Sequence, residues 1–204
     1  MQIKKCRLGE RVIMSLVEKR LDSHLKIICE FMDKNEKLIY KVANEITSRL
    51  KKGNKILIFG NGGSAADAQH IAGEFINRFL FDRPAIPAIA LTTDTSVMTA
   101  ISNDSNYEDI FSRQVHALIK PDDICIGIST SGNSLNVFRG LEDAEGKGYI
   151  ISFLGNGGGL IAKHINGNHF IVPSNETPRI QECHILLAHI LCELIEKKMY
   201  NEIK

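Results

Sequence analysis

The 204-residue chain has little of what marks a membrane, secreted or nucleic-acid-binding protein. Its formal net charge is only +1, so no charge excess argues for nucleic acid or an anionic membrane as a partner. No apolar run approaches the length of a membrane span, and no signal-peptide pattern is visible. The five cysteines, Cys6, Cys29, Cys125, Cys183 and Cys192, are odd in number, scattered, and never spaced as CxxC. That usage argues against a disulfide framework and for free thiols in a reducing cytoplasm. Repeats, low-complexity tracts and long linkers are also missing, so one domain over 1–204 is expected. Hydrophobic residues at 44% and charged residues at 24% are ordinary for a soluble globular protein. One imbalance stands out: Met1–Lys52 holds thirteen Lys/Arg against seven Asp/Glu. It reads as solvated helix faces, with a basic binding arm as the alternative. Met1–Val12 carries no motif, which makes Met14 an alternative start.

Glycine and proline are both absent from about Glu10 to Lys52, where the apolar spacing is helical. Leu16, Leu21, Leu25, Ile28, Phe31 and Met32 form one apolar set, and Leu38, Val42, Ile46 and Leu50 another. The spacing predicts two N-terminal helices over 10–52, divided near Asp33–Asn35 and stopped by Gly53-Asn54. Short apolar runs then recur at Lys55–Phe59, Ile86–Leu91, Ile124–Ile128, Tyr149–Leu154 and Phe170–Val172. Helical segments are expected at Ser64–Leu80, Asn106–Ile119, Ser134–Gly146, Leu160–His164 and, as a long last helix, Pro178–Tyr200. Alternation of this kind predicts an α/β fold, a doubly wound five-stranded parallel sheet covered on both faces. Ligands of such sheets bind beyond the carboxyl ends of the strands.

Two loops fall at those ends. The first strand runs into Gly60-Asn61-Gly62-Gly63-Ser64, which opens a helix. It has neither the lysine and spacing of a P-loop nor the GxGxxG fingerprint, so it reads either as a tight turn or as an anion site at a helix start. The third strand runs into Ser129-Thr130-Ser131-Gly132-Asn133-Ser134. An N-cap and an ST-turn account for one or two of its hydroxyls, whereas four suit a phosphate monoester held by neutral donors. His70 and Glu74 lie four apart on one helical face, as a metal or acid/base pair or as a solvated surface pair. The last helix adds Gln181, Glu182, His184 and His189, and periodicity does not choose between Gln181 and Glu182 as the partner of His189. His24, His116, His164 and His169 have no companion at ligand spacing. Asn103-Asp104 is placed in a strand-to-helix loop, to touch a sugar hydroxyl or to cap a helix.

Together these residues resemble the sugar-isomerase (SIS) domain and, within it, the phosphoheptose isomerases, from about Lys37 to Met199. The motifs are Gly60–Ser64, His70-x-x-x-Glu74, Arg83-Pro84-x-x-Pro87-Ala-Ile-Ala90, Asn103-Asp104, Ile110-Phe-Ser-Arg113, Ser129–Ser134, and Arg179-Ile-Gln-Glu182 with His189. The resemblance implies a flavodoxin-like SIS fold whose 53–204 core binds a sugar phosphate, here sedoheptulose 7-phosphate. The product would be D-glycero-D-manno-heptose 7-phosphate, the first step toward the heptose of bacterial surface polysaccharide, lipopolysaccharide or capsule. By the same resemblance, Ser129, Thr130, Ser131 and Ser134 hold the phosphate beside Asn61, Gly62, Gly63 and Ser64. Glu74, Asn103, Asp104 and Gln181 meet the sugar. His70, Glu74, Gln181 and His189 fall on a zinc site, one ion per subunit and no nucleotide cofactor, and Glu74 and His189 on the acid/base positions. Homotetramers with sites near the interfaces are implied, with neither nucleic acid nor membrane as partner.

Two departures touch the pocket: Pro178 stands where many relatives place a small or acidic residue, and Ala65-Ala66 where some members carry His-Cys. The chain also resembles a non-catalytic SIS regulator of the replication initiator through Asn77-Arg-Phe79 and Arg179–Glu182. That regulator lacks the full acid/base set. An isomerase of another sugar phosphate is the other alternative.

Overall fold

Ser15 opens the first helix with a reciprocal capping box: its hydroxyl accepts the Glu18 N–H, and the Glu18 carboxylate accepts the Ser15 N–H. The computed structural model describes residues 14–200, so Cys6 and the segment preceding Met14 lie outside the described residues. From this cap the helix α1 (Leu16–Lys51) runs unbroken for 36 residues. The expected division near Asp33–Asn35 is therefore corrected. Asp33 and Lys34 face solvent, and the Asn35 amide donates back to the Phe31 carbonyl at 2.8 Å. A polar stretch with no glycine or proline continues a helix, and here it was a solvated face rather than a boundary.

The sheet has the order β2-β1-β3-β4-β5, with every neighbouring pair parallel, as expected. Its strands are β1 (Ile56–Gly60), β2 (Ala88–Ala90), β3 (Ile124–Ser129), β4 (Tyr149–Leu154) and β5 (Asn168–Ile171). The helices after α1 are α2 (Gly63–Ile76), α3 (Thr95–Asp104), α4 (Ser112–Leu118), α5 (Leu135–Ala144), α6 (Gly159–His164) and α7 (Thr177–Tyr200). Alternate residues of β1 feed two cores. Ile56 and Ile58 pack with α1, α2 and α7, while Leu57 and Phe59 pack with α4, α5 and α6. Burial on both faces explains why the strands read as continuous apolar runs.

Three further differences from expectation have identifiable causes. Helix α3 was not foreseen, because Thr95, Val97, Thr99 and Ile101 are β-branched; the Asp94 side chain nevertheless caps it by accepting the Val97 N–H at 2.9 Å. Asn103-Asp104 consequently ends a helix instead of lying in a loop. Helix α2 stops at Ile76, short of Leu80, because side chains from elsewhere take the backbone groups of residues 74–80. Among the described residues no helix is long and apolar enough to cross a membrane.

Candidate active site

Adjacent strands carry the two loops to one place. Gly60 of β1 is in register with Ile128 of β3, so Gly60–Ser64 and Ser129–Ser134 leave the sheet side by side, where the strand order reverses. A Cβ on Gly60 would lie 2.8 Å from both the Ile128 carbonyl oxygen and the Ser64 Cβ, so this turn requires glycine. Gly62 takes a positive φ of 55° as the N-cap of α2.

In the second loop the hydroxyls turn toward one another. Ser129 Oγ donates to Ser134 Oγ at 3.0 Å and lies 3.5 Å from Ser131 Oγ, which accepts the Asn133 N–H at 3.1 Å. Ser134 occupies the N-cap position of α5 without making a side-chain cap bond. Only Ser131 is thus spent on a local turn, which favours the phosphate reading over the capping one. Gly132, with a φ of 68°, leaves no room for a Cβ against the Gly158 carbonyl and locks the loop onto the 156–159 segment.

The two loops are also joined through Asn61. Its amide pairs reciprocally with that of the buried Asn136 (2.8 and 2.9 Å), and its oxygen accepts the Tyr107 hydroxyl at 3.1 Å. Sequence reasoning missed Asn136 and Tyr107. An asparagine in the first turn of a helix and a tyrosine at the start of a short 3-10 turn carry no signal of their own.

On α2, Gly63, Asp67, His70 and Glu74 fall within about 60° of one another around the axis and form one stripe. A Cβ on Gly63 would collide with the Gln181 side chain of α7. Further along, the His70 and His189 rings meet edge to face at 5.2 Å between centroids. Helices α2 and α7 therefore lie side by side in the same direction. His70 Nε2 is 3.1 Å from Glu74 Oε1, and Phe79 packs its ring 5.5 Å from that of His189. Asp67, not singled out from sequence, has a buried Oδ2 with no hydrogen-bond partner. Burial raises its carboxyl above the ordinary range, with nearby His70 opposing. Its spacing from His70 and Glu74 was a readable signal.

The structure also separates Gln181 from Glu182. Gln181 turns to the glycine loop, whereas Glu182 turns to α1, accepting from Arg179 and lying 2.6 Å from His24 Nδ1. His24 is thus a partner of Glu182 and not solitary, and His169 Nδ1 lies 2.6 Å from the Ser152 hydroxyl. Asn103 and Asp104 are exposed and hydrogen-bonded to each other at 2.8 Å. No hydrogen bond links either of them to the two loops among the described residues.

Two imidazoles and a carboxylate are zinc-type donors, and His70 neighbours both Glu74 and His189. The fit is one of donor type. Among the described residues no three His, Cys, Asp or Glu side chains form a group that could hold a metal ion. Gln181 sits about two helical turns from the His70–His189 contact.

A parallel sheet with a hydroxyl-lined loop at its switch point and this stripe beside it defines an SIS-type protein, and residues 21–155 match the SIS domain. The phosphoheptose isomerase of Aquifex aeolicus is 53% identical over 186 residues, 91% of this chain and 97% of that protein. That of Trichlorobacter lovleyi is 50% identical, covering 93% and 96%. The structure of a phosphoheptose isomerase from Francisella tularensis superposes with a TM-score of 0.85 at 35% identity, over 90% of this chain and all (100%) of that one. The Neisseria gonorrhoeae enzyme gives 0.77 at 39% identity, over 89% and 99%. The chain belongs to the phosphoheptose isomerases.

Proposed function

We propose that the protein interconverts D-sedoheptulose 7-phosphate and D-glycero-D-manno-heptose 7-phosphate, with Glu74 as base and His189 as acid. The supporting observation is the α2–α7 pairing, which sets the Glu74–His70 pair against His189 while Gln181 of α7 rests on the glycine loop at the start of α2. Ser129, Thr130, Ser131 and Ser134 take the phosphate, with the N-terminus of α2 as adjoining wall. Gln181, Asn103 and Asp104 serve the sugar hydroxyls; for the last two only the resemblance supports that role.

Glu74 removes a proton from C1 of the ketose. The C–H electron pair becomes the C1=C2 bond, and O2 takes a proton from His189 to give a cis-enediol. His189 then accepts the O1 proton, the carbonyl forms at C1, and Glu74 returns its proton to C2. Atoms and charge balance with no redox partner. General acid–base steps of this kind contribute about 10²–10⁴-fold each. Glu74→Gln keeps the size of the side chain and removes the base. It is expected to lower kcat by at least about 10³-fold in an assay of aldose formation, with the melting temperature little changed. Near-normal turnover would sink the assignment.

His70, Glu74 and His189 would hold one zinc ion per subunit; for Gln181, which faces the glycine loop, only the resemblance supports a place as fourth ligand. Bound there, zinc would polarise the substrate oxygens. A homotetramer is supported by the apolar side chains that α1 leaves exposed, Leu16, Val17, Leu21 and Leu25. A cytoplasmic setting is supported by the unpaired thiols of Cys29, Cys125, Cys183 and Cys192.

A further inference from the structure

Helix α2 ends at Ile76, two residues after Glu74, and its last carbonyls need partners from outside the helix. Arg83 supplies them. Its Nη2 donates to the Glu74 carbonyl and its Nη1 to the Phe75 carbonyl, both at 2.7 Å. The charge also lies at the negative end of the helix dipole. The Arg83 side chain is 1% exposed, as is that of Glu196 on α7, whose Oε1 receives Arg83 Nε at 2.9 Å. The same carboxylate accepts the N–H groups of Phe79 and Leu80 at 2.9 and 2.8 Å.

We infer that the buried Arg83–Glu196 pair is a positioning device for the isomerisation, one that fixes Glu74 and His189 relative to each other. Arg83 grips the backbone of Glu74 itself. Glu196 lies seven residues beyond His189 on the same helix and anchors the backbone of Phe79, whose ring rests on that of His189. The pair meets the chain at the peptide of the base and at the residue stacked on the acid, so a shift in it moves both groups. Apolar residues of similar volume often replace buried pairs with no loss of stability. Neither residue touches substrate in this scheme. The inference rests on the acid/base assignment of Glu74 and His189.

The test compares Arg83→Lys, Glu196→Gln and the double variant Arg83→Met/Glu196→Leu, assayed at 25 °C well below their melting transitions. Lysine keeps the charge but cannot make the forked contacts. The double variant removes both charges without stranding one, so it avoids the lone buried charge that a single apolar change would leave. Each folded variant is expected to lose at least tenfold in kcat with KM changed less than about threefold. Sedoheptulose 7-phosphate deuterated at C1 is expected to show a larger isotope effect on kcat, because misplacing the base slows the proton transfer itself. A folded variant with kcat within twofold of the parent and an unchanged isotope effect overturns the inference. Glu74→Gln run alongside separates the two ideas. If that variant is active, the acid/base reading fails; if it is inactive while the Arg83 and Glu196 variants are fully active, only the positioning role fails.

Discussion

Single residues in this protein do one job in the sequence and another in the fold. His184 looks like a third candidate ligand beside Gln181 and His189. In the structure it is 1% exposed, donates Nε2–H to the Leu154 carbonyl at 3.1 Å, and leaves Nδ1 without a partner. Burial pushes its pKa down to about 4, with the bond to Leu154 opposing. The folded value lies below the unfolded one, so between pH 6.5 and 4 the unfolded chain binds the extra proton. The stability tied to the neutral ring is fully present above about pH 6.5 and is lost as pH falls toward 4, on the order of 3 kcal/mol in all. Denaturant midpoints at pH 7 and pH 4.5 check this. The parent should lose more stability on acidification than His184→Gln, and equal losses in the two proteins would refute it.

Elements decide which residues meet. Helical periodicity placed His70 with Glu74 on one face, and left Gln181 and Glu182 equivalent as companions of His189. The α2–α7 packing broke the tie, since Gly63 leaves space that the Gln181 side chain fills while Glu182 binds α1. The same packing bears on the metal. Purified protein is expected to contain about one zinc per chain, and chelation should lower activity at least tenfold, with recovery on adding zinc back. Full activity in metal-free protein would remove zinc from the reaction. Strand and loop positions were legible because buried parallel strands and glycine turns leave local signals. The single α1, the added α3 and the early end of α2 were not. Their boundaries depend on a back-bonding Asn35, a cap from Asp94, and side chains of Arg83 and Glu196 that come from distant points in the chain.

At the scale of the whole molecule, α1 shows two characters. From Phe31 onward it buries Phe31, Ile39, Val42 and Ile46 in the core shared with α7 and the sheet, while Leu16, Val17 and Leu21 near its start are 68%, 76% and 56% exposed. The apolar set that the sequence offers as core thus starts outside it. In the proposed tetramer, further copies of the chain would cover that stripe, at roughly 1.5–3 kcal/mol per side chain buried. Light scattering should report a tetramer for the parent and a smaller species for Leu21→Glu/Leu25→Glu. A monomeric parent at micromolar concentration would contradict the assembly.

Sequence by itself determined the strand order's raw material, the glycine and serine loops and the His70/Glu74 spacing, because each depends on neighbours a few residues away. Only the tertiary structure decided that Asn136 locks Asn61, that Gln181 and not Glu182 faces the glycine loop, and that a buried Arg83–Glu196 pair grips the helix end at Glu74. Those outcomes depend on side chains 75 to 118 residues apart in sequence being packed in one place, where burial makes every hydrogen-bond partner count.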